Sequence, residues 1–226
     1  MILAAGLGTR LRPLTNDKPK ALVDVGGQPM LERTARRITD AGFDHLVINV
    51  HHFADRVKKV IEDKGDFGVE VSVSHEVEQN LETGGGIKHA EPQFKKDGPF
   101  LVHNVDILTD LDLKALYDTH SESGALATLA VRPVETDRYL SVDERGHVVG
   151  YGDPETGEEH LVVEPQGETG KVDFVGVQVL SPRIFDLMTE EGETVRTHRA
   201  DDALWIDIGT HDRLEKARRY VEGKKA

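Results

Sequence analysis

The sequence predicts an α/β fold built on a mostly parallel mixed sheet, with a second half that is richer in β-structure. Strand-like and helix-like patterns alternate along the first half of the chain. His45–Val50 (HLVINV) has the apolar character of a buried strand, and Ala54–Asp63 (ADRVKKVIED) has apolar residues at helical spacing. Phe100–Val105 is predicted to be another strand. Because such alternation places helices on both faces of a parallel sheet, we expect a three-layer sandwich.

The remaining elements follow from the same patterns. Strands are predicted at Met1–Ala5 and Val69–Ser74, and helices at Pro29–Ala41, Gly84–His89, Leu111–His120 and Asp212–Val221. Asp110 is expected to cap the helix that contains LDLKAL. After about Gly124 the patterns predict strands without long helices between them, with a turn at 153–158 and a loop at 190–195. No linker interrupts the 226 residues, so we expect one domain, 1–226, with halves at 1–123 and 124–226.

Composition excludes several kinds of function. The formal net charge is -13, from 41 acidic and 28 basic residues, which disfavours nucleic-acid binding. The chain has no cysteine, so disulfides, thiolate zinc sites and a cysteine nucleophile are excluded. No apolar run approaches the roughly 20 residues that a membrane helix needs. The start of the chain lacks the basic and apolar regions of a signal peptide, and we expect a cytoplasmic protein that does not bind membranes.

A glycine-rich and basic segment near the start is the strongest functional signal. It runs L-A-A-G-L-G-T-R-L-R-P-L-T from Leu3 to Thr15 and continues to Pro-Lys at Lys20. Glycines that follow a buried strand let backbone N–H groups approach phosphate oxygens closely. Arg10 adds a planar cation suited to phosphate, and Lys20 adds a point charge. The segment follows the first strand, at the sheet edge where open α/β folds bind ligands.

Two known phosphate-binding patterns do not fit this segment. The P-loop pattern G-x-x-x-x-G-K-[ST] does not occur in the sequence. The dinucleotide pattern G-x-G-x-x-G fails because Leu11 stands where the third glycine belongs, so an NAD-binding protein is disfavoured. A glycine turn with incidental surface cations is the remaining alternative. Small Ala4 and Ala5 leave room for a base or ribose to lie against the backbone.

Three later segments add to this signal. Leu81–Gly86 (LETGGG) permits close approach of a ligand, although alone it is equally typical of a flexible turn that opens a helix. Asp106 ends a buried strand and presents a carboxylate at the ligand edge, although it could instead be a turn or cap residue. Asp207 alternates with apolar Ile206 and Ile208, as on one face of a short strand, although acids before Gly209 are also common in turns.

Together these segments resemble the signature of the sugar-phosphate nucleotidyltransferases. L-A-A-G-x-G-x-R-x-x-P-x-T followed by P-K is similar to the N-terminal signature of that family, which includes glucose-1-phosphate thymidylyltransferases, mannose-1-phosphate guanylyltransferases and N-acetylmuramate-1-phosphate uridylyltransferases. The L-E-T-G-G-G spelling resembles the muramate-phosphate branch most, whereas other members have L-G-T-A-G. The resemblance implies a Rossmann-like fold in which 1–123 bind the nucleotide and 124–226 bind the sugar.

The resemblance also implies roles for individual residues. Arg10 would grip the outer phosphates of a nucleoside triphosphate, and Lys20 would neutralise charge near the α-phosphate. Asp106 and Asp207 would bind Mg²⁺. Asn104, and Gly176 within FVGVQVLSP, would contact the sugar. The remaining implied nucleotide contacts are Leu3, Ala4, Ala5, Gly6, Gly8, Thr9, Gln79, Thr83 and Gly84. The Glu-Lys-Pro of many relatives does not occur here, so the residue that binds the acceptor phosphate stays open.

The implied reaction joins a nucleotide to a sugar 1-phosphate and releases pyrophosphate. The spelling favours UTP with N-acetylmuramate 1-phosphate or another amino-sugar 1-phosphate. Mannose-1-phosphate guanylyltransferase and glucose-1-phosphate thymidylyltransferase are alternatives. A noncatalytic regulatory protein that binds a sugar nucleotide is an alternative of another class. The resemblance implies a monomer or a homodimer.

Overall fold

The computed structural model describes residues 1–135, 139–153, 156–188 and 195–224, and for 195–198 it describes the backbone alone. The chain forms two compact units that interleave along the sequence. The first unit comprises Met1–Lys95, His103–Asp110 and Leu204–Ala226, and the second comprises Lys96–Val102 and Leu111–Ala203. Of the predicted turn at 153–158 and loop at 190–195, residues 154–155 and 190–194 lie outside the described residues.

The elements alternate as the patterns predict. The strands are β1 (Ile2–Leu3), β2 (His45–Val50), β3 (Glu70–His75), β4 (Phe100–Asn104), β5 (Ile107–Thr109), β6 (Ala127–Pro133), β7 (Leu140–Val142), β8 (Val148–Gly152), β9 (Glu159–Leu161), β10 (Gly170–Leu180), β11 (Val195–Arg199) and β12 (Trp205–Asp207). The helices are α1 (Met30–Asp40), α2 (Ala54–Asp63), α3 (Glu82–His89), α4 (Leu113–Ser123), α5 (Ile184–Leu187) and α6 (His211–Gly223).

In the first unit, the parallel strands end together at one edge. Their order is β3-β2-β1-β4, and β1 is central because its two residues pair with both β2 and β4. Leu3 is in register with Asn49 of β2 and with Asn104 of β4. The chain segments that follow these strands therefore start side by side. Ligands of open α/β sheets bind at this edge.

A hydrophobic cluster fixes the C-terminal segment of the first unit against its N-terminal loops. Strand β12 pairs antiparallel with β5, and Ile206 and Ile208 are buried in this cluster. Because side chains alternate along a strand, Asp207 is directed away from the cluster. The other buried members are Leu11, Val23, Val25, Met30, Leu108, Leu214, Ala217 and Val221.

The second unit is mainly antiparallel. Strand β10 pairs with β6 and β7, β7 pairs with β8, and β8 pairs with β9, whereas β11 runs parallel to β6. The register of β10 against β6 shifts between Phe174 and Gln178. Gly176 lies at this irregularity with φ 78°, a left-handed conformation that suits glycine.

The predicted α/β class, with a mostly parallel mixed sheet and helices, is confirmed. The predicted cap of α4 is wrong, because Asp112 and not Asp110 accepts the hydrogen bond from the backbone N–H of Ala115, at 2.9 Å. Asp110 instead accepts from the backbone N–H of Leu204, a contact that a local pattern does not contain. Among the described residues, no helix combines the length and the apolar character needed to cross a membrane.

Candidate active site

The glycine loop that follows β1 packs against Thr15 and Lys20, which come later in the same motif. Gly8 has φ 63°, and its carbonyl accepts a hydrogen bond of 2.8 Å from the Thr15 hydroxyl. A Cβ at Gly8 would lie 3.0 Å from Cβ of Lys20 and 3.1 Å from Cγ2 of Thr15. Thr15 and Lys20 thus pack so closely on Gly8 that a side chain there would crowd both.

A buried lysine links the two aspartates that lie far apart in sequence. Nζ of Lys20 donates a hydrogen bond to Oδ2 of Asp106 and lies 3.8 Å from Oδ1 of Asp207. The Lys20 side chain is only 10% exposed, and those of Asp106 and Asp207 are 24% and 17% exposed. The structure therefore brings the predicted cation and both predicted acids into one partly desolvated cluster.

Backbone pairing explains why the two acids converge. Asp106 directly precedes β5, and Asp207 is in register with Ile107 across the β5–β12 pair. The backbone N–H of Ile208 donates to the Asp106 carbonyl at 2.9 Å. The short antiparallel pairing of β5 with β12, which is distant in sequence, thus fixes the separation of the two carboxylates.

Two arginines complete the charge pattern around Asp207. A Cβ at Gly209 would lie 2.7 Å from Oδ1 of Asp207 and 3.0 Å from Nη2 of Arg10, so glycine permits the guanidinium to approach. Nη1 of Arg213, in the first turn of α6, lies 2.8 Å from Oδ2 of Asp207. Sequence reasoning missed Arg213, and no motif identifies it, because its partner is set by the start of α6.

A cavity of about 380 Å³ opens beside this cluster, within the first unit. The predicted site residues that line it are Leu3, Ala5, Gly6, Gly8, Thr9, Arg10, Lys20, Thr83, Asn104 and Asp106. Ala4 is buried behind the loop. Asp207 does not line the cavity, but Gly209, whose backbone N–H donates to the Asp207 carboxylate, does. Gln79 and Gly84 are exposed beside the lining residues Asn80 and Thr83. Gly176 belongs to the second unit.

A buried polar network behind the cavity was also missed from the sequence. The side-chain amide of Asn49 donates to Oε1 of Glu76 at 2.7 Å, and Oδ1 of Asn49 accepts from the backbone N–H of Ala4 at 2.6 Å. The other Glu76 oxygen accepts from the backbone N–H of Leu81 at 2.9 Å. The network therefore joins the glycine loop to the LETGGG segment. The asparagine inside the apolar run HLVINV is the sequence signal that could have indicated it.

The last glycine of LETGGG is explained by the same network. A Cβ at Gly86 would lie 2.7 Å from Nδ2 of Asn49 and 2.8 Å from Oε1 of Glu76. Any larger residue would collide with two buried polar atoms that are already paired with each other. α3 can consequently dock against the ends of β2 and β3 only if this position is glycine.

His103, inside β4, is held neutral by its surroundings. Burial lowers the pKa of the imidazole to about 4, although the hydrogen bond to the Asn104 carbonyl acts in the opposite direction and Arg37 lowers the pKa further. Nδ1 donates to that carbonyl at 2.8 Å, whereas Nε2 has no hydrogen-bond partner among the described residues. A proton on Nε2 would be buried without an acceptor, which agrees with the low pKa.

The donor chemistry of the cluster fits a hard divalent cation. Magnesium is usually held by one or two carboxylates together with oxygens of a phosphate ligand. Asp106 and Asp207 share one ammonium, and Asp106 lines the cavity, so the two carboxylates together could reach an ion bound with a ligand. No group of three or more metal-binding side chains occurs in the described part of the chain. A glycine loop, two cations and two carboxylates can together hold a polyphosphate with its metal ion.

Comparisons with known proteins agree with this chemistry. The family model described as "Nucleotidyl transferase" matches residues 1–148. The chain is 36% identical to the N-acetylmuramate alpha-1-phosphate uridylyltransferase of Caulobacter vibrioides, over 92% of this chain and 90% of that protein. It is 33% identical to the protein of the same name from Neisseria meningitidis serogroup B, over 96% of this chain and 95% of the relative.

A solved structure supports the fold. HddC from Yersinia pseudotuberculosis, complexed with GMP-PN, superposes with a TM-score of 0.77 and covers 97% of both chains, at 24% sequence identity. A likeness at this identity shows the shared fold alone.

Proposed function

The chain belongs to the nucleotidyl transferase family, and we propose that it is a member that transfers a uridylyl group to N-acetylmuramate 1-phosphate or another amino-sugar 1-phosphate. Its general activity is that of a sugar-1-phosphate nucleotidyltransferase, which converts a nucleoside triphosphate and a sugar 1-phosphate into a nucleoside diphosphate sugar and pyrophosphate. The observation that carries the proposal for the site is the contact of one buried lysine with two aspartates at the mouth of the glycine loop.

The reaction is an in-line displacement at phosphorus. An oxygen of the sugar 1-phosphate attacks the α-phosphorus, the bond from that phosphorus to the bridging oxygen breaks, and pyrophosphate leaves with the electron pair. The nucleophile is already an anion, so no general base is needed. Catalysis of such transfers comes chiefly from positioning and from stabilisation of charge.

The residues around the cavity suit these two tasks. The backbone N–H groups of Gly6, Gly8 and Thr9 would cradle the triphosphate, and Arg10 would pair with its outer phosphates. Lys20 would offset charge at the α-phosphate. Leu3, Ala5 and Thr83, with Gln79 and Gly84 beside them, would hold the base and ribose. Asn104 and Gly176 are proposed to contact the sugar.

Asp106 and Asp207 are proposed to hold Mg²⁺, since both carboxylates already face a single cation. When bound, the ion would supply positive charge next to the phosphate groups that react. Lys20 and Arg213 form ion pairs with the two acids, so a bound ion would share these carboxylates with both cations.

The choice of UTP and an amino sugar is supported by the names of the two relatives that match almost the full chain. GTP is the second candidate donor, because a solved relative of the same fold is complexed with the guanine nucleotide GMP-PN. The product would be a sugar nucleotide for cell-wall synthesis, made in the cytoplasm where nucleoside triphosphates are available.

A substrate matrix tests the proposal. Pyrophosphate release is measured with Mg²⁺ for UTP, GTP and dTTP, each combined with the 1-phosphates of N-acetylmuramate, mannose and glucose. We expect the fastest turnover with UTP and the amino sugar, loss of that turnover in Lys20→Met, and retention in Lys18→Met, a lysine of the same loop outside the cavity lining. Tight binding of a sugar nucleotide without turnover for any pair would instead favour a noncatalytic regulatory protein.

A further inference from the structure

Glu82 has a left-handed backbone conformation at the first residue of α3, with φ 58°. This conformation is uncommon for a residue with a long side chain, and surrounding structure has to hold it. The Glu82 N–H donates to Oδ1 of Asn80 at 2.9 Å, and the Asn80 amide donates to the Ala5 carbonyl at 2.9 Å. Two hydrogen bonds thus hold Glu82 to the glycine loop. Strain of this kind concentrates where a side chain serves a ligand.

The Glu82 side chain is exposed and lines the cavity. Within the described part of the chain, its carboxylate has no hydrogen bond or ion pair, although many other acids on the surface are paired. The Glu82 backbone is linked through the Asn80 side chain to the Ala5 carbonyl, at the beginning of the glycine loop, whereas Arg10 and Lys20 come later in the motif. The phosphates of a bound nucleotide would be attracted to those cations and repelled by the Glu82 carboxylate. The opposite end of the nucleotide, which carries the base, would therefore lie towards Glu82.

We propose that the Glu82 carboxylate selects the nucleobase by accepting a hydrogen bond from a ring N–H on its Watson–Crick edge. A carboxylate accepts hydrogen bonds and cannot donate them. Uracil, thymine and guanine carry a ring N–H at that edge. Cytosine and adenine offer only an exocyclic amino group there, beside a bare ring nitrogen whose lone pair repels the carboxylate. The site therefore favours UTP, dTTP or GTP over CTP and ATP. The inference rests on the proposed function and adds to it the chemical class of the base.

The test is direct binding of nucleotides without an acceptor sugar. Dissociation constants are measured by calorimetry for UTP, dUTP, GTP, CTP and ATP with the wild type, Glu82→Gln and Glu82→Gly. The wild type should bind UTP or GTP at least about tenfold more tightly than CTP and ATP. Glu82→Gln, whose amide both donates and accepts, should reduce that ratio to below about threefold. Glu82→Gly should lose the discrimination too, yet unfold at a higher temperature, because glycine relieves the strain.

Three results would overturn the inference. The first is a wild type that binds all five nucleotides alike, and the second is full discrimination retained by Glu82→Gln and Glu82→Gly. The third is weaker binding by Glu82→Gln of UTP but not of dUTP, which would assign the carboxylate to the ribose 2′-hydroxyl. Glu78→Gln, an exposed acid of the same loop, should bind every nucleotide as the wild type does. The proposed function fails on a different observation, the absence of pyrophosphate release with every sugar phosphate.

Discussion

Asn49 and Glu76 form a buried hydrogen bond of 2.7 Å between the ends of two neighbouring strands, and both side chains are almost fully buried, at 1% and 2% exposure. Through it, the backbone N–H groups of Ala4 and Leu81 are held by one pair of side chains. We interpret both as positioning residues, because their side chains hold the two glycine segments that border the cavity; Glu76 lies outside the cavity lining, and Asn49 contributes to it.

Replacement of Glu76 by Gln should disturb this arrangement while preserving its shape. One of the two oxygen acceptors becomes a donor that faces another donor, so the free energy of unfolding should fall by about 1–3 kcal/mol. Nucleotide affinity should fall more than the maximal rate, because the loops shift while the reacting groups stay. Urea unfolding and a separation of KM from kcat measure the two effects. Glu78→Gln provides the exposed control, and an equal loss in both variants would contradict the positioning role.

Stability should depend on the protonation of His103. The folded-state pKa is about 4, below the usual value of about 6.5 in an unfolded chain, so the unfolded state binds more protons between these values. Stability present above pH 6.5 is therefore lost as the pH falls towards 4, by as much as about 3 kcal/mol.

Denaturant unfolding at a series of pH values checks this expectation in wild type and His103→Leu. The variant should show a flatter profile between pH 6.5 and 4, whatever its absolute stability. His52→Gln, which removes an exposed histidine, should keep the slope of the wild type. A slope that His103→Leu leaves unchanged would show that another group is responsible.

Arg213 should compete with a metal ion for Asp207. Its guanidinium lies 2.8 Å from Oδ2 of the acid and is about half exposed, so the pair is expected to contribute only about 0.2–1 kcal/mol. Arg213→Ala should therefore tighten Mn²⁺ or Mg²⁺ binding by about two- to fivefold, measured by calorimetry without nucleotide. Arg219→Ala, on an exposed part of the same helix, is the matched control. Weaker metal binding in Arg213→Ala would mean that the arginine supports the site and does not compete.

Local patterns predicted the elements well where periodicity was clear. The bounds of β2 and α2 agree with the sequence, because an unbroken apolar run and a regular amphipathic helix each carry a complete local signal. The placement of Asp207 opposite buried isoleucines was likewise readable from alternation.

Features that depend on distant partners could not be predicted in this way. Asp112 rather than Asp110 caps α4 because the helix begins at Leu113, and Asp110 accepts instead from the distant backbone of Leu204. Glu76 follows a strand with no motif around it, and its role appears only when β2, β3 and α3 meet. The left-handed conformation of Glu82 contradicts the preference of its residue type, so no propensity would have indicated it.

A double-mutant cycle on the two aspartates is the most direct test of the central claim, that Asp106 and Asp207 act on the same ion. Pyrophosphate release is measured for Asp106→Asn, Asp207→Asn and the double variant, with thermal unfolding as the check that each one folds. Because residues that act as a unit are not additive, each single variant should lose at least about a hundredfold in kcat and the double variant only little more. Losses that multiply, or a single variant with nearly full activity, would contradict the shared metal site.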